Sequence, residues 1–227
     1  MTALIQFSSV NKRYYAGQQA LANVSFQLAQ GEMAFLTGHS GAGKSTLLQL
    51  IALLEQPTSG EVLFNGVNIN RITEQKAPFF RRQIGLIFQD PHLLKDRTVF
   101  DNISLPLIIA NYRYPEIKKR VHVALNKVGL SHKVNALPEM LSAGEQQRVS
   151  IARALVTKPP LILADEPTGN LDPNLAEEIM QLFEQFNQIG VSLLIASHDL
   201  QLINQLQHRR IHLDQGQLVA DEAGYVV

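Results

Sequence analysis

Residues 36–48 read LTGHSGAGKSTLL. Within them Gly38, His39, Ser40, Gly41, Ala42, Gly43, Lys44 and Ser45 fit the pattern G-x-x-x-x-G-K-[ST]. An apolar run, MAFLT (33–37), leads in, and helical periodicity in STLLQLIALLE (45–55) leads out. Strand, glycine bend, helix is the context in which this pattern cradles phosphate. Glycines let the backbone curl until successive N–H groups converge on one anion. The helix that follows presents its positive end to the same point. The spacing predicts that Lys44 reaches the β- and γ-phosphates, that Ser45 ligates Mg²⁺, and that Thr46 adds a phosphate contact. His39 reads as a solvent-facing spacer. The loop alone does not choose between a GTPase, a small-molecule kinase and an ATPase.

Further along, three apolar runs resemble MAFLT: IGLIF (84–88), LILA (161–164) and VSLLIA (191–196). Short continuous apolar runs suit strands buried on both faces of a parallel sheet. Each ends in polar residues: Gln89, then Asp165 and Glu166, then Ser197 and His198. In open α/β sheets ligands bind beyond the carboxyl ends of the strands. Asp165 is therefore expected to hold the Mg²⁺ hydration shell, and Glu166 to polarise an attacking water. Alternation along a strand would turn these two carboxylates apart. Gln89 would sense the metal and the water. His198 would donate to the γ-phosphate.

IQFSSV, ALANVSFQL and EVLFNGVNI in the first third read as strands, with turns at Ala16-Gly17 and Asn65-Gly66. Helical spacing marks PEIKKRVHVALNKVG, EQQRVSIARALV and LAEEIMQLFEQFNQIG. Strands alternating with helices imply an α/β layered core. No strand is evident between about 92 and 155, which reads as a helical subdomain. Ser142 and Glu145 form S-x-x-E, a capping box ahead of a helix. A capped helix start also offers N–H groups to an anion. Since one glycine loop serves one nucleotide, this second anion site would face another molecule's ATP.

Bulk properties agree. The 227 residues suffice for one large domain or a core with a subdomain. Lys plus Arg and Asp plus Glu both number 20, which argues against a nucleic-acid partner. With no cysteine, disulfides and thiolate metal sites are excluded. Residues 1–15 lack the pattern of a secretory signal. No apolar run approaches the roughly 18 residues that span a bilayer, so a membrane role would need a partner. His208 and His212 are spaced H-x-x-x-H, but RRIHL reads as a strand, which separates them too far to share a metal.

The glycine loop (38–45), Gln89, LSAGE (141–145), the Asp165-Glu166 strand end, Asn170-Leu171-Asp172 and His198 resemble the ABC ATPase family, in family order across nearly the whole chain. The resemblance implies a P-loop NTPase fold of the ABC nucleotide-binding type. Such a domain has a RecA-like, mostly parallel core, an antiparallel β subdomain and an inserted helical subdomain. Here those would be about 1–90 and 156–227, with 91–155 helical. It implies a head-to-tail dimer sandwiching two ATP, with Ser142 and Gly144 facing the second copy's ATP and Asp172 crossing the interface. Tyr14, in KRYYAG, resembles the aromatic that stacks on adenine, with Tyr15 as fallback. Two positions depart from the usual LSGGQ: Ala143 replaces a glycine and Glu145 a glutamine. If position 143 needs positive φ or close backbone approach, the Ala143 methyl would strain it.

At finer grain residues 31–48, 81–109 and 163–172 resemble the FtsE branch, the family's cell-division ATPases. That likeness implies an integral inner-membrane partner of FtsX type, docked near residues 90–112, and a peripheral position on the cytoplasmic face. Leu93, Leu94, Phe100, Leu105, Leu107, Ile108 and Ile109 would form the docking surface, unless most of them pack the helical subdomain instead. The alternative is the ATPase of a lipoprotein- or macrolide-type exporter. DNA-repair and chromosome-organising relatives insert a long coiled coil, and 47–140 holds no sustained heptads.

Overall fold

The computed structural model describes residues 3–15 and 17–222. Strands β1 (Ala3–Arg13) and β2 (Gln19–Ala29) pair antiparallel, and β3 (Met33–Thr37) leads to helix α1 (Lys44–Ile51). Strands β4 (Ser59–Phe64) and β5 (Val67–Asn68) turn at Asn65-Gly66, both with positive φ, and complete a four-stranded antiparallel sheet of order β2-β1-β4-β5. The short helix α2 (Ala77–Arg81) precedes β6 (Ile84–Phe88). Three helices follow without a strand: α3 (Val99–Ile109), α4 (Tyr114–Lys127) and α5 (Ala143–Leu155). The chain then runs β7 (Leu161–Asp165), α6 (Pro173–Gln188), β8 (Ser192–Ala196), α7 (Leu200–Leu206), β9 (Arg209–Asp214) and β10 (Gln217–Glu222).

The second sheet has the order β10-β9-β3-β8-β7-β6. All its pairs are parallel except β10 with β9. β3 and β8 are buried at every residue, as strands covered on both faces must be. Because β6, β7, β8 and β3 run parallel, the polar residues that end them meet along one edge. One apolar cluster fills the space between the two sheets, around Phe7, Leu36, Leu47 and Leu163. Another joins the opposite sheet face to α3, α4, α5 and α6, around Phe35, Ile103, Val149 and Phe183.

Capping fixes where helices begin. Thr98 and Asp101 form a capping box at α3, and Ser142 and Glu145 form the expected one at α5. Asp172 accepts from the Asn174 and Leu175 amides and starts α6, with Pro173 in its first turn. The loop before α3 is gripped by a fully buried side chain. Asn102 Oδ1 accepts from the Leu94 amide at 2.8 Å, and its Nδ2 donates to the carbonyls of Leu94, Arg97 and Thr98.

The hairpin of β9 and β10 ties the molecule together. Arg209 bonds Asp221, Glu32 and the Gln27 carbonyl, and the two carboxylates, Asp221 foremost, raise its pKa further against burial. At the hairpin tip Gly216 accepts from the Ala22 amide and donates to the Ala42 carbonyl, joining the first sheet to the glycine loop. His208 and His212 have separate neighbours: Glu184 for the first, Thr37 for the second.

Candidate active site

The glycine loop spans the carboxyl end of β3 and the start of α1, bent as its sequence requires. Gly38 and Gly43 hold φ of 143° and 104°, where side chains are rarely accommodated. A Cβ on Gly38 would collide with the Leu213 carbonyl, and one on Gly43 would lie 2.5 Å from the Ala20 carbonyl. The loop is thus wedged between β9 and β2. Ala42 is fully buried beneath it. Lys44 is nearly buried and donates to the carbonyls of Gly38 (2.7 Å) and His39 (3.2 Å). His39 is exposed, as a spacer should be, but it also pairs with Asp214 at 2.9 Å.

A cleft of about 600 Å³ opens over this loop. Tyr14, His39, Ser40, Gly41, Gly43, Lys44, Ser45, Thr46, Gln89, Glu166 and His198 line it, so residues from five separate segments converge. Glu166 lines it between His198 and Lys44. Its Oε2 is 2.8 Å from His198 Nδ1, and its Oε1 is 3.6 Å from Lys44 Nζ. Gln89 Nε2 donates to Asn170 Oδ1 at 3.1 Å, linking the end of β6 to the turn after β7.

The two carboxylates do diverge, though strand alternation is not the cause. Glu166 lies beyond β7 with φ of 49°, in the left-handed region, and this kink swings its carboxylate toward His198. Asp165 instead lies toward Ser45. Its pKa is raised by burial and by the Glu166 charge, and lowered by the Ser45 hydroxyl and Lys44. Asp165 Oδ1 is buried without a protein partner. An orphaned carboxylate oxygen beside a hydroxyl is a hard-oxygen donor set, which fits Mg²⁺.

Tyr14 sits just past β1. Lys12 Nζ lies 4.9 Å over its ring, covering one face, and its hydroxyl is 3.3 Å from Thr46 Oγ1. Tyr15 is fully exposed and does not line the cleft. Ser142, Gly144 and Asp172 lie outside the cleft lining as well. Positive φ is not required at Ala143, which takes ordinary helical φ in the first turn of α5. Gly144 is the tight position: a Cβ there would lie 3.0 Å from Leu175 of α6.

The expected docking residues separate into three groups. Leu107 is fully buried and leaves the surface, while Leu93 and Phe100 pack half-buried on the helical core. Leu94, Leu105, Ile108 and Ile109 remain exposed. The segment that follows Gln89 is held from α5. Gln147 donates to the Phe88 carbonyl, and Arg153 donates to those of Pro91 and His92. Gln18 and Ala20 also line the cleft, and no motif pointed to them. Gln18 lies just before β2 and Ala20 within it, and neither residue type marks a nucleotide site.

The sequence profile of the ABC transporter family matches residues 21–169. The cell division ATP-binding protein FtsE of Escherichia coli K12 is 55% identical over 215 residues, covering 95% of this chain and 97% of that protein. FtsE of Bacillus subtilis is 42% identical, covering 97% and 96%. Part of the CbiONQ ABC transporter complex of Clostridium perfringens superimposes with a TM-score of 0.91 at 30% identity, over 99% of this chain and 90% of that one. A dimeric bacterial ABC transporter cassette superimposes with a TM-score of 0.88 at 37% identity, over 98% and 100%. The same cassette has been solved as a dimer in a post-hydrolysis state with ADP and Pi, at 36% identity. The chain belongs to the ABC transporter family, as an ATP-hydrolysing cassette of the FtsE cell-division type.

Proposed function

We propose that this ATPase works as a head-to-tail pair enclosing two ATP, each held by one copy's glycine loop and the other copy's α5 start. The observation that supports it best is the meeting of Lys44, Glu166 and His198 in one cleft, with Asp165 behind at Ser45. The amides of Gly38 to Ser45 wrap the phosphates, and Lys44 exchanges its backbone carbonyls for phosphate oxygens. Tyr14 stacks adenine on the face that Lys12 leaves open. Glu166 orients water toward the γ-phosphorus and accepts its proton as the bond to ADP breaks. His198 holds that carboxylate through Nδ1 and presents Nε2 to the γ-phosphate. Gln89 reports the state of this site to the segment it leads. Ser45 and Asp165, with Gln89 and partly through water, would hold Mg²⁺. When bound, the ion neutralises charge on the phosphate oxygens.

We further propose that residues 91–155 act as a helical subdomain against a core formed by 1–90 and 156–227. The load is an integral inner-membrane protein of FtsX type, seated on Leu94, Leu105, Ile108 and Ile109. Among the described residues no helix is long and apolar enough to cross a membrane. The chain would therefore lie peripherally on the cytoplasmic face, through that partner.

The test is Glu166→Gln. Hydrolysis should fall by on the order of 10² or more while ATP binding persists and the ATP-bound dimer accumulates. Unchanged turnover would remove Glu166 from its role. Co-purification with an exporter permease in place of an FtsX-type protein would replace the cell-division load.

A further inference from the structure

The box that starts α5 carries a charge at an awkward place. Under the head-to-tail reading, this helix start meets the γ-phosphate held by the other copy. Glu145 Oε2 accepts from the Ser142 amide at 2.9 Å, and Ser142 Oγ accepts from the Glu145 amide at 3.2 Å. Among the described residues no acceptor meets the Ala143 and Gly144 amides, so these are left for an anion. A carboxylate here favours the helix but repels an arriving triphosphate. The bond from Ser142 holds the Glu145 carboxyl below the ordinary range, burial opposes it, and Lys133 reinforces it with a smaller contribution from Arg148. The negative charge is thus permanent at neutral pH. Glutamine would close the same box without charge.

The compensating charge comes from a different part of the chain. Lys133 ends a single 3-10 turn, Ser131–Lys133, beyond α4. Its Nζ lies 3.6 Å from Glu145 Oε1, with the two side chains 31% and 19% exposed. Arg148, one turn further along α5, is bound to Glu178 of α6 at 2.7 Å.

We propose that Lys133 is a positioning residue for the second nucleotide: it neutralises Glu145, so the capping box can order the helix start without repelling the other copy's triphosphate. The inference rests on the head-to-tail reading. It makes a demand that a purely structural lysine would not. The value of Lys133 must depend on the charge at 145, and the two substitutions must be non-additive.

The experiment uses the full chain carrying Glu166→Gln, with Mg²⁺ and ATP, and reads dimerisation by sedimentation equilibrium at low salt. Lys133→Met should weaken the ATP-dependent dimer by about tenfold, and the defect should shrink as salt rises. Lys133→Arg should stay within about twofold of the parent, since it keeps the charge. Binding of a fluorescent ATP analogue to the monomer should also stay within about twofold, because the glycine loop is untouched. With Glu145→Gln in place, Lys133→Met should change dimerisation by less than about twofold. An equal loss in both backgrounds, or none beside Glu145, overturns the proposal. A melting curve excludes unfolding as the cause, and the Lys133→Arg and Glu145→Gln arms decide the matter even if Lys133→Met melts early. If the parent stays monomeric with ATP, the head-to-tail reading fails and this inference falls with it. A parent that dimerises but shows additive substitutions sinks the inference alone.

Discussion

His198 Nδ1 and Glu166 Oε2 stand 2.8 Å apart, one beyond the end of β8 and the other beyond the end of β7. Neighbouring parallel strands thus present an acid and its holder to one point. Removing the imidazole frees a carboxylate that is otherwise fixed by His198 and Lys44. His198→Ala should slow ATP hydrolysis by on the order of 10² and leave ATP affinity within about threefold. Steady-state turnover beside equilibrium nucleotide binding checks both halves.

Asp165 sets a limit on stability. Burial lifts its carboxyl above the ordinary range, so the folded chain binds this proton more tightly than the unfolded chain does. Stability from this group therefore falls as pH rises from about 4 through the raised value. Asp165→Asn removes the penalty. Without nucleotide the variant should melt about 2–5 °C higher than the parent at neutral pH, with the gap closing in acid. It should also lose Mg²⁺-dependent hydrolysis. Calorimetry across pH, with an ATPase assay, decides it.

Gly38 admits no side chain. Its φ of 143° and the Leu213 carbonyl above it leave Gly38→Ala no relaxed conformation. The substitution should cost about 2 kcal/mol or more and abolish ATP binding. Urea midpoints and nucleotide titration measure the two effects.

Asn102 anchors the loop ahead of α3 with bonds to Leu94, Arg97 and Thr98. Asn102→Ala leaves buried backbone groups unpaired and should destabilise the fold by about 1–3 kcal/mol. Faster hydrogen exchange at the Leu94 amide, with ATP affinity unchanged, would place the damage in this loop.

Tyr14 tests the base. Tyr14→Ala should raise KM for ATP roughly tenfold with little change in kcat, as expected for loss of one stacked ring. Tyr14→Phe should retain nearly all affinity. A fall in kcat alone would move Tyr14 out of the base contact.

Much of this was legible because two-sided burial leaves a plain mark. MAFLT, IGLIF, LILA and VSLLIA are apolar but for Thr37 and Ser192, and they became β3, β6, β8 and most of β7. Other elements left weak marks. Helix α3 carries Pro106 inside it and closes its box with Asp101 in place of Glu or Gln, so its start and period are poorly marked. Strand β10, half-exposed and polar, has no periodic signal, and α7 is a helix of seven residues. Helix α1 stops at Ile51, short of the periodic run, as the chain turns through Leu53 at positive φ. In the cleft, residue types were readable but their partners were not. The left-handed kink at Glu166, the link from Gln89 to Asn170 and the pairing of Lys133 with Glu145 all join segments distant in sequence.

The hairpin tip at Gly216 bears on how the chain comes into being. The phosphate cradle is encoded by residue 45, yet its walls include Leu213, and its Ala42 carbonyl is bonded by Gly216. During synthesis the nascent chain must extend some 170 codons further before that cradle can close, at about 5–20 residues per second. A ribosome-bound fragment would carry the whole P-loop in its sequence and still lack a finished seat for ATP.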